Sequence, residues 1–144
     1  MTFGEKIKMA REQKGMTQKV LARKIGRGEN TIRHYEKETT EPNITVLCDV
    51  AKELGVSLSY LAGWTDKPDL VINEQPGTMG KRIRRARMMK GLRGEDLAYQ
   101  AGISETNVYA VENGISHPSL LVATCISKVL GMTLEQLVGW EARN

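Results

Sequence analysis

Residues 17–36 read TQKVLARKIGRGENTIRHYE, and two short helical patterns meet inside them. The first runs from Thr17 to Ile25, with Val20, Leu21, Ala22 and Ile25 as its apolar set and Thr17 as a natural N-cap. Gly26, Arg27 and Gly28 then interrupt it, because glycine accepts the left-handed backbone that a tight turn after a helix requires. The second pattern runs from Glu29 to Glu36, with Ile32 and Tyr35 or Glu36 facing inward. Helix, short glycine turn, helix is the expected local fold.

Working outward, the same text is written twice. Gly4 aligns with Gly80, and a shift of 76 holds without a gap as far as Trp64 and Trp140. Ile7/Ile83, Arg11/Arg87, Leu21/Leu97, Gly26/Gly102, Glu36/Glu112, Pro42/Pro118, Gly55/Gly131 and Leu61/Leu137 all match, and about a third of positions are identical. A repeat of that quality means a tandem duplication of one small unit. Each copy reads as five helices. In the first copy they are Phe3 to Lys14, Thr17 to Ile25, Glu29 to Glu36, Ile44 to Leu54 and Leu58 to Ala62. In the second they are Met79 to Lys90, Arg93 to Ala101, Ser104 to Glu112, Leu120 to Leu130 and Leu134 to Trp140. Gly15 and Gly55 stop their helices, and Ser57 caps the fifth. The expectation is an all-α chain: a first domain over 1–64, an irregular linker over 65–77, and a second domain over 78–144. The linker carries Pro68, Pro76 and Gly77, which oppose helix. Its apolar centre, Leu70-Val71-Ile72, is expected to dock on a lobe or to pair as a short strand with a second chain.

Composition narrows the function. The chain has 144 residues, 40% of them hydrophobic, with a net charge of +4. Two basic lobes flank an acidic joint, a balance compatible with nucleic acid though not diagnostic of it. No apolar run is long enough to span a membrane. The charged N-terminus lacks the apolar core of a secretory signal. A cytoplasmic protein with no membrane partner is expected. Cys48 and Cys125 stand alone, without partner cysteines or histidines at ligand spacing, and read as small buried residues on helices. No metal or cofactor is expected. With two histidines and no paired nucleophile or glycine-rich phosphate loop, an enzyme is not expected either.

The ordered set TQxxLA, glycine turn, Tyr-Glu, Pro42 and LGVSL resembles the phage repressor and Cro class of helix-turn-helix proteins, the Xre-type family. The resemblance spans both copies. It implies a pair of repressor-like helix-turn-helix domains that seat the second helix of the motif in the major groove of double-stranded DNA. It also implies that Gln18 offers its amide to the DNA backbone or to a neighbouring recognition side chain, and that Arg11 and Glu36 form an internal ion pair. Arg87 and Glu112 match that pair in the second copy. On the recognition helix, Glu29, Asn30, Arg33 and His34 face outward. Asn can read adenine, Arg guanine, and Glu can accept from cytosine. Thr31 suits a phosphate or a thymine methyl. Thr17, Arg27, Lys37 and Thr40 are backbone-contact candidates, whereas Glu38 and Glu41 in the following loop oppose phosphate. Gly28 leaves the recognition helix without a side-chain cap, at a cost of a few tenths of a kcal/mol.

The second copy departs from the pattern. Arg93-Gly94 replaces Thr-Gln, so the amide is gone. Its DNA-contact candidates are Arg93, Ser104, Glu105, Thr106, Asn107 and Tyr109, of which Glu105, Thr106, Asn107 and Tyr109 face outward with little positive charge. Its cations gather on the first helix of the copy, where Lys81, Arg82, Arg84, Arg85 and Lys90 form either a solvated face or a grip on phosphate from outside the groove. Two readings follow. The chain is a sequence-specific DNA-binding regulator, with repression the sign implied by the resemblance, and its second copy either binds DNA or pairs two chains as a homodimer. Alternatively, the fold serves as an antirepressor, antitoxin or inhibitor that binds a protein partner.

Overall fold

A computed structural model describes residues 1–70 and 77–140. The chain divides into two compact units, Met1–Leu70 and Val71–Asn144. Ten helices and no extended sheet are present among the described residues. In the first unit these are α1 (Phe3–Gln13), α2 (Gln18–Lys24), α3 (Glu29–Glu36), α4 (Ile44–Leu54) and α5 (Leu58–Leu61). In the second they are α6 (Met79–Met89), α7 (Gly94–Ala101), α8 (Glu105–Glu112), α9 (Leu120–Leu130) and α10 (Leu134–Val138). Fold class and tandem repeat are those read from the sequence. No described helix is long and apolar enough to cross a membrane.

Local chemistry sets the helix ends. Thr2, Thr17, Asn43 and Ser57 each accept a backbone N–H from the first turn of α1, α2, α4 and α5, as Thr78, Ser104, Ser119 and Thr133 do in the second unit. Gly28 caps α3 with no side-chain bond, as expected. α10 stops at Val138, two residues short of the predicted end, because Gly139 turns left-handed there at φ 89°.

In the first unit the core is built on Ile7, Leu21, Ile32, Leu47, Leu58 and Leu61, all fully buried. Ile83, Leu97, Val108, Leu134 and Leu137 take the matching places in the second. Val20, expected inside, is partly exposed at 37%. Cys48 and Cys125 are half-buried rather than buried, and neither is in a disulfide.

Two contacts position the helix pair against the rest of each unit. At α2, Gly26 stands at φ 72° and Arg27 N donates to Ala22 O at 2.8 Å, a Schellman closure that redirects the chain into α3. At α1, a Cβ on Gly4 would sit 2.5 Å from Glu36 O and 2.8 Å from Tyr35 O. Only glycine lets α1 cross the end of α3 this closely, and Gly80 meets the end of α8 in the same way.

The joint begins by folding back on the first unit. Ser57 N donates to Pro68 O at 2.9 Å, and Val56 and Asp69 form an isolated antiparallel bridge. Leu70 is half-buried; Val71 and Ile72, the rest of the apolar tripeptide, lie outside the described residues.

Candidate nucleic-acid interface

The α2–α3 pair is locked from behind by a buried ion pair. Arg11 donates from Nε and Nη2 to the two carboxylate oxygens of Glu36, at 2.7 and 3.0 Å. Its Nη1 holds Met16 O at 2.8 Å. The side chains are 9% and 4% exposed, so the pair is desolvated and α1 is tied to the end of α3. The Glu36 carboxylate holds the guanidinium above its ordinary pKa, working against the burial that lowers it. Gln18 is a third member: its Nε2 donates to Glu36 Oε1 at 3.2 Å. Of the two partners expected for this amide, the DNA backbone or a neighbouring side chain of the recognition helix, it takes the second, Glu36 at the end of α3.

In front of that lock, Arg27, Glu29, Asn30, Arg33, Lys37 and Thr40 are exposed, while Thr31 and His34 are half-buried. His34 Nδ1 lies 2.9 Å from Thr39 Oγ1, so its ring folds back on the loop after α3. Thr17 is exposed, but its hydroxyl already accepts Val20 N at 3.1 Å. Ile32 and Tyr35 pack into the core. Tyr35 is raised above the usual phenol range by burial, against a smaller opposing pull from Arg27. The structure thus leaves Arg27, Asn30 and Arg33 each exposed to solvent. Three cations outside the motif positions, Lys19, Arg23 and Lys24, are exposed as well. Counting charges along the helix pair, rather than matching motif positions, would have found them.

The second unit repeats the lock and changes the face. Arg87 Nη2 reaches Glu112 Oε1 at 2.8 Å, and Nη1 holds Leu92 O at 2.9 Å. Arg84 Nε joins the same carboxylate at 3.3 Å and its Nη2 donates to Asn113 Oδ1 at 3.2 Å. Arg82 reaches Leu137 O at 3.1 Å and Gly77 O at 3.0 Å, with burial lowering its pKa. Two of the five cations expected as a free or phosphate-gripping face are thus used inside the unit.

Arg93 caps the start of α7 and is paired with Glu95 at 2.6 Å and Asp96 at 3.2 Å. The hydrogen bond between Arg93 and Asp96 raises the first and lowers the second from their ordinary values. Ser104 caps α8 through Asn107 N at 3.0 Å. Glu105 and Thr106 are exposed, Asn107 half-buried and Tyr109 63% exposed.

The contrast between the copies is clearest in register. Lys19, Arg23, Lys24, Arg27, Arg33 and Lys37 become Glu95, Tyr99, Gln100, Ile103, Tyr109 and Asn113. Residues 17–37 hold those six cations against Glu29 and Glu36; residues 93–113 hold Arg93 alone against Glu95, Asp96, Glu105 and Glu112. One helix pair is strongly basic and the other acidic.

Comparison with known proteins places the chain. The family model described as Helix-turn-helix (HTH_3) matches residues 7–61 and, again, 83–137. The HTH-type transcriptional regulator ImmR of Bacillus subtilis is 30% identical over 96 residues, covering 67% of this chain and 72% of that protein. Multiprotein-bridging factor 1 of Debaryomyces hansenii is 41% identical over 58 residues, 40% of this chain; the match spans only 39% of that protein. Among solved structures, SinR, the master regulator for biofilm formation, crystallised in complex with DNA, is 28% identical. It covers 42% of this chain and 97% of that one with a TM-score of 0.41.

Proposed function

The chain belongs to the Xre-type helix-turn-helix family, and from that premise we propose that it is a sequence-specific, double-stranded DNA-binding transcriptional regulator, with repression as its sign. The working division is a DNA-binding domain over 1–64, a joint over 65–77 and a second domain over 78–144. The observation that carries the reading is the set of six cations on the α2–α3 segment in front of a buried Arg11–Glu36 lock. A basic helix pair is the electrostatic footprint of phosphate binding. With α3 in the major groove, Asn30 and Arg33 read bases, Glu29 accepts from cytosine and His34 borders the contact. Thr17, Arg27, Lys37 and Thr40 contact the backbone, with Lys19, Arg23 and Lys24 adding to the field.

The second unit does not read DNA through α8. Its helix pair carries a net negative charge, and Arg93 is paired with two carboxylates. Ser104, Glu105, Thr106, Asn107 and Tyr109 therefore leave the proposed DNA site. No chemistry beyond binding is assigned to either unit.

Selection of random duplex DNA by the full chain tests the proposal. An enriched sequence whose specificity relaxes in Asn30→Ala or Arg33→Ala at an unchanged melting temperature is expected, at about 1–3 kcal/mol per base contact. No enrichment, or full specificity in both variants, removes α3 from the site.

A further inference from the structure

The second unit carries two surfaces that the first lacks. On α7 and α8, Glu95 and Tyr99 stand one turn apart, as do Glu105 and Tyr109. Tyr99 is 88% and Tyr109 63% exposed. The first unit has Lys19, Arg23, Glu29 and Arg33 at these positions. Just before them in the sequence, α6 presents a shallow hollow of about 400 Å³ lined by Lys81, Arg84, Arg85, Met88 and Met89. Met88 is 64% and Met89 78% exposed. The first unit has Glu5, Lys8, Met9, Glu12 and Gln13 there.

Large exposed apolar side chains are concentrated accordingly. Apart from Met1, every one above 60% exposure among the described residues lies in the second unit. Such patches on a small soluble lobe mark an interaction site. Their chemistry says which partner. One face is acidic and aromatic; the other is basic and rich in methionine. Opposite charges attract across an interface, thioethers pack well against aromatic rings, and Lys or Arg stacks over Tyr.

We propose that these two faces are mates, and that the occupant of each is a second copy of this chain. The acidic tyrosine face on α7–α8 of one protomer covers the basic methionine face on α6 of its partner, and the reverse. When the two patches are related by a two-fold rotation between protomers, they close into a dimer in which each contact occurs twice. The second repeat then pairs chains while the first remains on DNA. This goes beyond the DNA reading and does not depend on it, since self-association is measured without DNA.

The test is the molar mass of the full chain in solution, by sedimentation or light scattering, in two variants that restore the first unit's residues. These are Tyr99→Arg with Tyr109→Arg, and Met88→Glu with Met89→Gln. All four positions are exposed, so the fold tolerates them, as an unchanged helical melt will verify. The wild type is expected to be a dimer that loosens with added salt, and each variant a monomer at the same concentration. An equimolar mixture of the variants, raised at least tenfold in concentration, is expected to form dimers, because one of the two patches survives intact between unlike chains. A monomeric wild type, variants that remain dimeric, or a mixture that never associates overturns the proposal. A monomeric wild type whose duplex affinity falls in Lys81→Gln with Arg85→Gln would instead assign α6 to phosphate. Absence of DNA binding in a dimeric wild type would defeat the DNA reading and leave this one standing.

Discussion

Arg84 donates to Glu112 at 3.3 Å from α6, and in doing so it occupies the role that Gln18 plays toward Glu36 from α2. In both units the same carboxylate oxygen that takes Nη2 of the first helix's arginine, Arg11 or Arg87, also takes this third donor. The residue in register with Gln18 is Gly94, which has no side chain to offer. The duplication has kept three donors on its buried glutamate while changing the helix that supplies one of them.

Removing Arg84 therefore destabilises the second unit modestly. The Arg84 side chain is 47% exposed, so Arg84→Ala is expected to cost about 0.5–1 kcal/mol. A Cβ at Gly94 meets nothing within 4 Å, which leaves room for the lost amide. In the Arg84→Ala background, Gly94→Gln is expected to raise the melting temperature more than Gly94→Ala, which improves helix propensity alone. Equal gains from Gln and Ala would show that no amide is accommodated there.

The first unit's lock is more deeply buried. Glu36→Ala strands the Arg11 guanidinium, and thermal melting is expected to register a loss of about 3–5 kcal/mol in that unit. An unchanged melt would mean that Arg11 finds water instead.

Glu38 is in the left-handed region at φ 59°, where its register partner Gly114 sits at φ 72°. A side chain there costs about 1–2 kcal/mol. Glu38→Gly is expected to raise the melting temperature, the Gly4 N to Glu38 contact at 3.4 Å being too long to offset the gain. A lower melting temperature would show that this contact outweighs the backbone strain.

Alkaline pH probes the core of α3. Burial raises the Tyr35 pKa, so the folded state holds the phenol proton more tightly than the unfolded chain does. That contribution is complete below the unfolded pKa of about 10 and is lost as pH rises through the higher folded value. Stability of the first unit is expected to fall above about pH 10 in the wild type and to fall less in Tyr35→Phe. Identical alkaline profiles would place Tyr35 outside the linkage.

Much of this architecture could be read from the chain itself because it rests on local signals. The glycine turn at Gly26, the caps at Thr17 and Ser57, and the 76-residue register each follow from a few adjacent residues or from plain repetition. The Arg11–Glu36 and Arg87–Glu112 pairs came from the family resemblance. What stayed hidden depends on where side chains meet in space. The turn of Gln18 onto Glu36, the fold-back of His34 onto Thr39 and the capture of Arg82 and Arg84 are choices among several reachable partners, and spacing alone does not rank them. The reversal of charge on α7–α8 was present in the sequence throughout. It became informative once the helix pair was known to share one geometry in both copies.

The measurement that bears most directly on the account is the salt dependence of binding to the selected duplex, for the full chain and for two variants. A steep negative slope is expected for the wild type. Arg27→Gln with Lys37→Gln is expected to reduce its magnitude by about 2, at roughly 0.9 per phosphate contact, while Arg93→Gln leaves it unchanged. A slope that is shallow, indifferent to the first-unit cations, or diminished by Arg93→Gln would contradict the assignment of DNA to the first unit alone.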